Sequence, residues 1–243
     1  MIKCQFKLGV FPMTHELSFL LEEFPKTKPG EIVLIEHTPY SSHHLAFYAL
    51  ATHSLKLGYP LIIDDLLDTL HLYKTYLDFA GLNTDFLNSD DVSVLKIGGH
   101  KEVGNVAATI RLTDEFYVHQ ENYRTAFNSI LKQREFFVNI VLGFDRRIAL
   151  IRNPYERYLF LLNRVYYLGN KKRVAFYFVN INLLKRFPLV LPFLEEISTT
   201  VVRIEKQDKK VALTFLKSPN PSLAGSQFKL NIDETLNYLK GGA

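Results

Sequence analysis

Residues 30–51 have the sequence GEIVLIEHTPYSSHHLAFYALA, and this stretch decides the fold class. Its first part, residues 30–36, is an apolar run that predicts a buried β-strand. Its last part, residues 45–51, predicts a helix, so residues 37–44 form a tight loop between the two. A strand, a tight loop and a helix N-terminus together create a backbone geometry that binds anions.

The loop lacks the side chains that phosphate binding requires. A phosphate loop has the pattern Gly-x-x-x-x-Gly-Lys-Ser/Thr, in which glycines allow the bends, lysine contacts phosphate and the hydroxyl binds magnesium. The four fixed positions are occupied here by His37, Ser42, His43 and His44. Histidine reaches less far than lysine and, with an ordinary pKa of about 6.5, is mostly neutral at pH 7. We therefore expect that this loop does not hold a nucleotide tightly.

Apolar strands alternate with helices along most of the chain. Further buried strands are predicted at residues 61–64, 92–97, 106–112, 136–142 and 173–179. This order predicts an α/β fold with a mainly parallel sheet and helices on both faces. Residues 199–205 and 210–217 predict a C-terminal antiparallel β-hairpin at one edge of that sheet.

Composition indicates a globular chain that is not strongly charged. The chain has 243 residues, of which 47% are hydrophobic and 22% charged, and its net charge of +4 is too small to indicate nucleic-acid binding by itself. The single cysteine, Cys4, cannot form an internal disulfide, and we expect it to be buried in an N-terminal segment. No signal peptide or membrane-length apolar run is evident, so a cytoplasmic location without membrane contact is expected.

The order of elements from about Leu17 to Ile232 resembles the core of the RecA/KaiC-like ATPases. The lead-in at residues 28–31, followed by the strand at 33–36, is similar to the approach to their phosphate loop. Residues 217–219 and 228–230 are similar to the end of KaiC-type domains. The resemblance implies a RecA-like sheet in a single domain over residues 1–243. That domain has a strand and helix lead-in at 1–29, a core at 30–217, and a C-terminal loop and helix at 218–243.

An archaeal family of unknown function with this type of core shares further segments with the chain, Lys96-Ile97-Gly98-Gly99 and Glu195-Glu196-Ile197-Ser198-Thr199. That family has no established activity, so the resemblance implies a fold and no reaction. In active ATPases the strand that orients magnesium carries an aspartate, and the matching residue here is Asn139. Asp64 and Asp65 match the acidic pair that primes the attacking water, and they are the residual catalytic candidates.

The side chains in and near the loop could bind two kinds of small ligand, a transition metal or an anion. A transition metal could be bound by imidazole and carboxylate groups from His37, His43, His44, Asp64 and Asp65. Packing of the histidines against the first turn of the helix is the preferred interpretation, so no metal is predicted. An anion could be bound by Ser41, Ser42 and the helix N-terminal amides, and no other cofactor is expected.

Basic and aromatic clusters suggest two kinds of macromolecular contact. Nucleic acid could be contacted by Arg146, Arg147, Lys171, Lys172 and Arg173, although solvated turns are an equally ordinary place for such residues. A second cluster belongs either to the core or to a protein–protein surface, and it comprises Tyr155, Tyr158, Phe160, Tyr166 and Tyr167.

The leading hypothesis is a RecA/KaiC-like domain that does not hydrolyse ATP and acts as a macromolecule-binding or regulatory protein. The expected partner is a protein or a peptide, and a homo-oligomer is compatible with the pattern. The alternatives are an atypical nucleotide-binding hydrolase that uses Asp64 and Asp65, and a nucleic-acid-binding protein.

Overall fold

A computed structural model describes residues 14–23, 26–131 and 135–241. Its strands are β1 (Ile32–His37), β2 (Leu61–Leu66), β3 (Val92–Ile97), β4 (Val106–Ile110), β5 (Phe137–Leu142), β6 (Arg173–Asn180), β7 (Thr200–Gln207), β8 (Lys210–Lys217) and β9 (Gln227–Asn231). Its helices are α1 (Thr14–Glu23), α2 (His43–Lys56), α3 (Thr69–Phe79), α4 (Phe116–Leu131), α5 (Phe144–Leu150), α6 (Pro154–Tyr167), α7 (Ile181–Leu184), α8 (Val190–Ile197) and α9 (Ile232–Lys240).

These strands form one sheet in the order β4-β3-β2-β5-β6-β1-β7-β8-β9. All neighbours from β4 to β7 are parallel, and the last two pairs are antiparallel. Every residue of β1, β2, β3 and β5 is buried, as expected of parallel strands with helices on both faces. The predicted mainly parallel sheet is therefore confirmed.

Two apolar layers cover the sheet, because successive residues of a strand point to opposite faces. On the first face, Ile35 packs with Phe47 of α2 and Tyr73 of α3. On the second face, Leu34 packs in a cluster with Phe127 of α4 and Phe160 of α6. Helices thus lie on both faces, as predicted, and each polar residue within a strand belongs to one face or the other.

The predicted elements near the two ends of the chain are partly confirmed, and the structure adds one strand. The C-terminal hairpin is confirmed as β7 and β8, and residues 227–231 add β9 as a third antiparallel strand before α9. The predicted N-terminal helix is α1, while the strand expected before it and Cys4 fall outside the described residues. Within the three described ranges, no helix combines the length and the apolar character needed to cross a bilayer.

Candidate functional site

The loop between β1 and α2 lies at the carboxyl end of the parallel strands, where ligands bind in open α/β sheets. The Oγ of Ser41 donates to the carbonyl of Thr38 at 2.9 Å, and the amide of Leu45 donates to Ser42 at 3.0 Å. Ser42 has φ 52° and ψ 31°, a left-handed conformation that glycine adopts at least cost. The loop therefore places a serine in a conformation suited to the glycine of a phosphate loop.

The imidazoles of the loop are packed together rather than turned outward. The rings of His37 and His43 are stacked with their centroids 3.7 Å apart, and the edge of Tyr73 lies 5.1 Å from His43. The His44 ring lies 5.5 Å from the ring of Tyr76. The preferred interpretation of these histidines as packing groups thus agrees with their contacts.

Burial keeps these histidines neutral. It lowers the pKa of His43 to about 2, and it lowers those of His37 and His44 to about 4. The Nδ1 atom of His43 is buried and has no hydrogen-bond partner among the described residues. The position of the phosphate-binding lysine therefore holds an uncharged ring at pH 7.

Asp64 and Asp65 lie on opposite faces of β2, so they do not act as a pair. Asp65 accepts from the amide of Leu70 at 2.8 Å and from the Nζ of Lys96 at 2.7 Å. Asp68 accepts from the same ammonium group. Asp65 therefore caps α3 and holds β2 to β3, which gives it a structural role in this structure.

Asp64 belongs to a buried polar group on the face that carries α4 and α6. Its Oδ2 accepts from the hydroxyl of Tyr123 at 2.8 Å, and burial raises its pKa to about 6. Asp64 therefore lies on the opposite face of the sheet from His43, which packs on the first face with Tyr73.

Asn139 lies within β5, three residues before its end, and not at the carboxyl edge. Its Nδ2 donates to the carbonyl of Ile62 at 3.0 Å, and its Oδ1 accepts from Arg173 at 3.0 Å. Asn139 therefore joins neighbouring strands, and its assignment to the magnesium position is corrected. The strand was predicted to end at residue 142, as it does, so the error lay in matching Asn139, within the apolar run, to a residue that follows such a run.

The acidic residue at the carboxyl edge next to β5 is Asp145, which sequence reasoning missed. It is buried, it accepts from the amide of Asn180 at 3.1 Å, and burial raises its pKa to about 6. Burial, and then the Asp145 charge, raise the pKa of Tyr73, the residue that contacts His43. The sequence could have indicated this position, because Gly143-Phe144-Asp145 directly follows the apolar run of β5.

The basic candidates do not form one surface. Arg147 is buried and is paired with Asp114 at 3.0 Å, and Arg173 is buried beneath Tyr167, with its guanidinium carbon 4.5 Å from the ring centroid. The remaining candidates are accessible: half-buried Arg146 at the carboxyl edge, and exposed Lys171 and Lys172 at the opposite edge, before β6. Each of the two basic clusters thus has one buried arginine, and contact with nucleic acid through the others stays a prediction.

The metal alternative for the loop has no support in the geometry. Across the described ranges no group of three or more His, Cys, Asp or Glu side chains has an arrangement that could hold a metal ion. The histidines stack on one another, while Asp64 and Asp65 are engaged elsewhere. The side chains of His37, His43, His44, Asp64 and Asp65 thus do not form one group of ligands among the described residues, and the absence of a metal stays a prediction.

Helix α6 divides the aromatic series into a buried part and an exposed part. Phe160 is buried and Tyr167 is half-buried, whereas Tyr166 is 78% exposed. A continuous exposed face, here called the α6 row, consists of Tyr155, Tyr158, Leu162, Val165 and Tyr166. Their spacing of three or four residues, with Val165 and Tyr166 adjacent at the end, places them along one side of the helix. A large exposed apolar face is typical of an interaction surface.

A family model described as "Pyrococcus protein of unknown function, DUF257" matches residues 22–229. The chain belongs to this family. The solved structure of PH0250 from Pyrococcus horikoshii OT3 is similar to this chain, with 30% sequence identity and a TM-score of 0.72. The match covers 85% of this chain and 96% of PH0250.

Two structures with lower sequence identity are similar in fold to this DUF257 chain. A KaiC-like protein, PH0186 from Pyrococcus horikoshii OT3, has a TM-score of 0.55 at 13% identity, with 83% of this chain and 85% of that chain covered. The uncharacterized protein PH0321 from Pyrococcus horikoshii, solved in complex with an unknown peptide, has a TM-score of 0.57 at 16% identity, with coverages of 84% and 91%. No protein among those with curated descriptions matches. The chain therefore has a RecA/KaiC-like core.

Proposed function

We propose that this protein is a RecA/KaiC-like domain that does not hydrolyse ATP and that binds a protein partner through the α6 row. The observation that carries the proposal is the row itself, because its apolar side chains face solvent instead of the core. Tyrosine supplies a large apolar area and a hydroxyl group, and it is enriched at protein interfaces. A row of three tyrosines with two aliphatic residues fits a protein surface better than a small polar ligand.

The chemistry of the loop argues against nucleotide hydrolysis. His43 stands where lysine would contact phosphate, and its buried ring is neutral because its pKa is about 2. Triphosphate binding depends on positive charge and on backbone amides that can approach the phosphates. A stacked pair of neutral imidazoles lacks the positive charge of a lysine, and its side chains lack the close backbone approach that glycines allow.

The class of partner has support from a protein of similar fold. PH0321 was solved in complex with an unknown peptide. At 16% identity this likeness concerns the fold, and it motivates a peptide or protein as the partner class for this chain. The split of the basic residues between opposite edges favours a protein over nucleic acid, since nucleic acid requires a continuous positive path.

One observation favours the nucleotide-binding alternative. Asp145 and Arg146 lie at the carboxyl edge near the loop, and the Arg146 charge acts with burial to lower the pKa of His37. A carboxylate and a guanidinium at that edge could act on a phosphate group in place of the missing lysine. The alternative is weaker because Asp145 is buried and already accepts from the Asn180 amide.

Affinity capture with full-length bait tests the proposal. The double variant Tyr158→Glu, Tyr166→Glu places two charges in the α6 row, and we expect it to reduce capture of a specific partner at least about tenfold, as loss of interface anchors does. Phe79→Glu is the matched control, because Phe79 is an 85% exposed aromatic residue at the end of α3. Equal capture by the wild-type protein, the double variant and the control would refute the role of the α6 row.

A further inference from the structure

The turn that follows β3, residues 98–101, binds the carboxylate of Asp68, the residue directly before α3. The amide of His100 donates to both carboxylate oxygens at 3.0 Å, and the amide of Lys101 donates to Oδ1 at 2.8 Å. The Nζ of Lys96 donates to the same Oδ1 atom. Successive backbone amides that converge in this way form an anion-binding concavity. Residues 98–101, here called the amide nest, thus hold an anion that belongs to the same chain.

Two glycines at the start of the amide nest allow this close approach. Gly98 and Gly99 have φ angles of 65° and 79°, which glycine adopts at least cost. A Cβ atom on Gly99 would lie 2.4 Å from Oδ1 of Asp68, and one on Gly98 would lie 2.1 Å from the side chain of Leu112. A side chain at position 99 would therefore take the place of the bound anion.

The amide nest stabilises negative charge at a place that solvent reaches. Burial acts to raise the pKa of Asp68, but hydrogen bonds from Lys96 and from the amides of Lys101 and His100 lower it to about 2. The side chain of Asp68 is 27% exposed, although Lys96 is buried and also pairs with Asp65. The site lies at the carboxyl ends of β2 and β3, the edge at which ligands bind in open α/β sheets.

The backbone that brings Asp68 to the amide nest has an unfavourable conformation. Leu67 and Asp68 have φ angles of 58° and 59°, and a bulky residue such as leucine rarely adopts this left-handed conformation. The side chain of Asp68 makes no capping hydrogen bond to α3, so its bonds to the amide nest and to Lys96 hold this turn. Departure of the carboxylate lets the turn relax, which favours exchange with an anion from solution.

We propose that the amide nest and Lys96 form a binding site for a phosphate group, and that Asp68 occupies this site until phosphate displaces it. A carboxylate from solution is a poor competitor, because Asp68 is tethered beside the site at a high effective concentration. A phosphate group carries a charge of about −1.5 to −2 and three strong acceptor oxygens, so it gains more from the ammonium group and the amides.

This site is separate from the loop of residues 37–44. In the sheet, β5 and β6 lie between β2 and β1, so the amide nest and that loop are at different places along the carboxyl edge. The inference is also independent of the role proposed for the α6 row. Loss of partner capture and loss of phosphate binding are therefore distinguishable results.

Titration of the full-length protein with inorganic phosphate, followed by NMR of the His100 and Lys101 amides, tests the proposal. Asp68→Ala removes the internal competitor, so we expect it to bind phosphate at least about tenfold more tightly than the wild-type protein. In the wild-type protein we expect the same two signals to shift, with half-saturation above about 10 mM. Asp90→Ala, at an exposed position before β3, is the control and should behave like the wild-type protein.

Sodium chloride at the same ionic strength accounts for general salt effects. Equal phosphate affinity in Asp68→Ala and the wild-type protein would overturn the proposal. It would also be overturned if phosphate left the two amide signals of Asp68→Ala unmoved. Wild-type signals that do not respond to phosphate would exclude exchange in the native chain, and that result would overturn the proposal as well.

A pair of glycine variants, each made in the Asp68→Ala background, tests the amide nest itself. Gly99→Ala places a methyl group where the anion lies, so we expect phosphate affinity to fall at least about tenfold. Gly58→Ala is the matched control, because Gly58 also has a positive φ of 76° but a Cβ there meets nothing within 4 Å. Circular dichroism checks that both variants are folded. Equal phosphate binding by the two would contradict the proposed site.

Parallel titrations with O-phosphoserine and serine distinguish the sources of the phosphate group. Tighter binding of O-phosphoserine than of inorganic phosphate would support a phosphate ester as the ligand, whereas the reverse order would support the free anion. Both results require that Gly99→Ala weakens binding. Serine binding as tight as that of O-phosphoserine would overturn the proposal, because the phosphate group would then contribute nothing.

Discussion

The loop of residues 37–44 buries polar side chains, whereas the α6 row exposes apolar ones. The loop buries imidazoles at a place where an active ATPase would present a charged side chain and backbone amides to a ligand. The α6 row exposes tyrosine and aliphatic side chains that a helix usually buries. The difference shows that a residue's position in a fold is not enough to identify it as part of a ligand-binding site. Burial, charge state and existing hydrogen bonds decide which groups remain available for a ligand.

The same lesson applies to the acidic candidates, and the largest effect is expected there. Lys96→Met removes the ammonium group shared by Asp65 and Asp68, so it leaves the fully buried Asp65 carboxylate without its ion-pair partner. We expect the free energy of unfolding to fall by about 4 kcal/mol, as for other broken buried ion pairs. Urea denaturation measures this change.

Lys74→Met is the control for that variant. Lys74 pairs with Asp78 on α3, and both side chains are partly exposed. Its loss should change stability by less than about 0.5 kcal/mol. If the two substitutions had equal effects, Asp65 would not be the buried structural acid described here and could again be considered for catalysis.

The second prediction restores the lysine of a phosphate loop. His43→Lys places an unpaired ammonium group in a site where the native ring is 9% exposed, so we expect a loss of about 3 kcal/mol in unfolding free energy. The variant should gain no nucleotide binding. His100→Lys, at an exposed position, is the control and should change stability by less than about 0.5 kcal/mol. A stable His43→Lys protein that binds ATP would break the comparison between the loop and the α6 row.

The third prediction concerns pH. The pKa of His43 is about 2 in the folded protein, so below the ordinary histidine pKa of about 6.5 the unfolded state binds a proton that the folded state does not. The stabilising contribution of the neutral ring is thus present above pH 6.5 and is lost as the pH falls. As the pH falls from about 5.5 to about 4.5, we expect the free energy of unfolding to decrease more steeply in the wild-type protein than in His43→Phe. The difference between the two slopes should be about 1.4 kcal/mol per pH unit.

Urea denaturation at a series of pH values measures that slope. The buried carboxyl groups with raised pKa values, such as Asp64 and Asp145, are present in both proteins, so their contribution cancels in the difference. Parallel pH profiles would mean that the His43 ring can be protonated in the native loop. The loop would then be able to attract an anion at mildly acidic pH.

The smallest effect is expected in the α6 row. Tyr166→Ala should change the unfolding free energy by less than about 0.5 kcal/mol, because the side chain is 78% exposed. Phe160→Ala, on the buried side of the same helix, should cost about 4 kcal/mol. Thermal and urea unfolding compare the two. A large loss in Tyr166→Ala would indicate that the α6 row is needed for folding and is not reserved for a partner.

The fold could be predicted because its strands are long apolar runs separated by helical patterns. The failures occurred where one residue depends on distant parts of the chain. Arg173 looks like part of an exposed basic cluster, and only the sheet order brings it to Asn139. The opposite orientation of Asp64 and Asp65 follows from strand geometry and could have been anticipated.

Other features needed the structure. The division of the aromatic series follows from helical spacing, but the identity of the exposed side depends on where α4 and α8 pack. Asp145 was accessible to sequence reasoning, because it follows the glycine that ends the apolar run of β5. The stacking of His37 on His43 was not, because it depends on how the loop folds back over the end of β1.

Calorimetric titration of the full-length protein with ATP and Mg²⁺ tests the central claim most directly. The account predicts no saturable heat at nucleotide concentrations up to about 1 mM, which corresponds to a binding free energy weaker than about −4 kcal/mol. The contradicting result is saturable micromolar binding in the wild-type protein that is lost in both Asp145→Asn and Arg146→Ala.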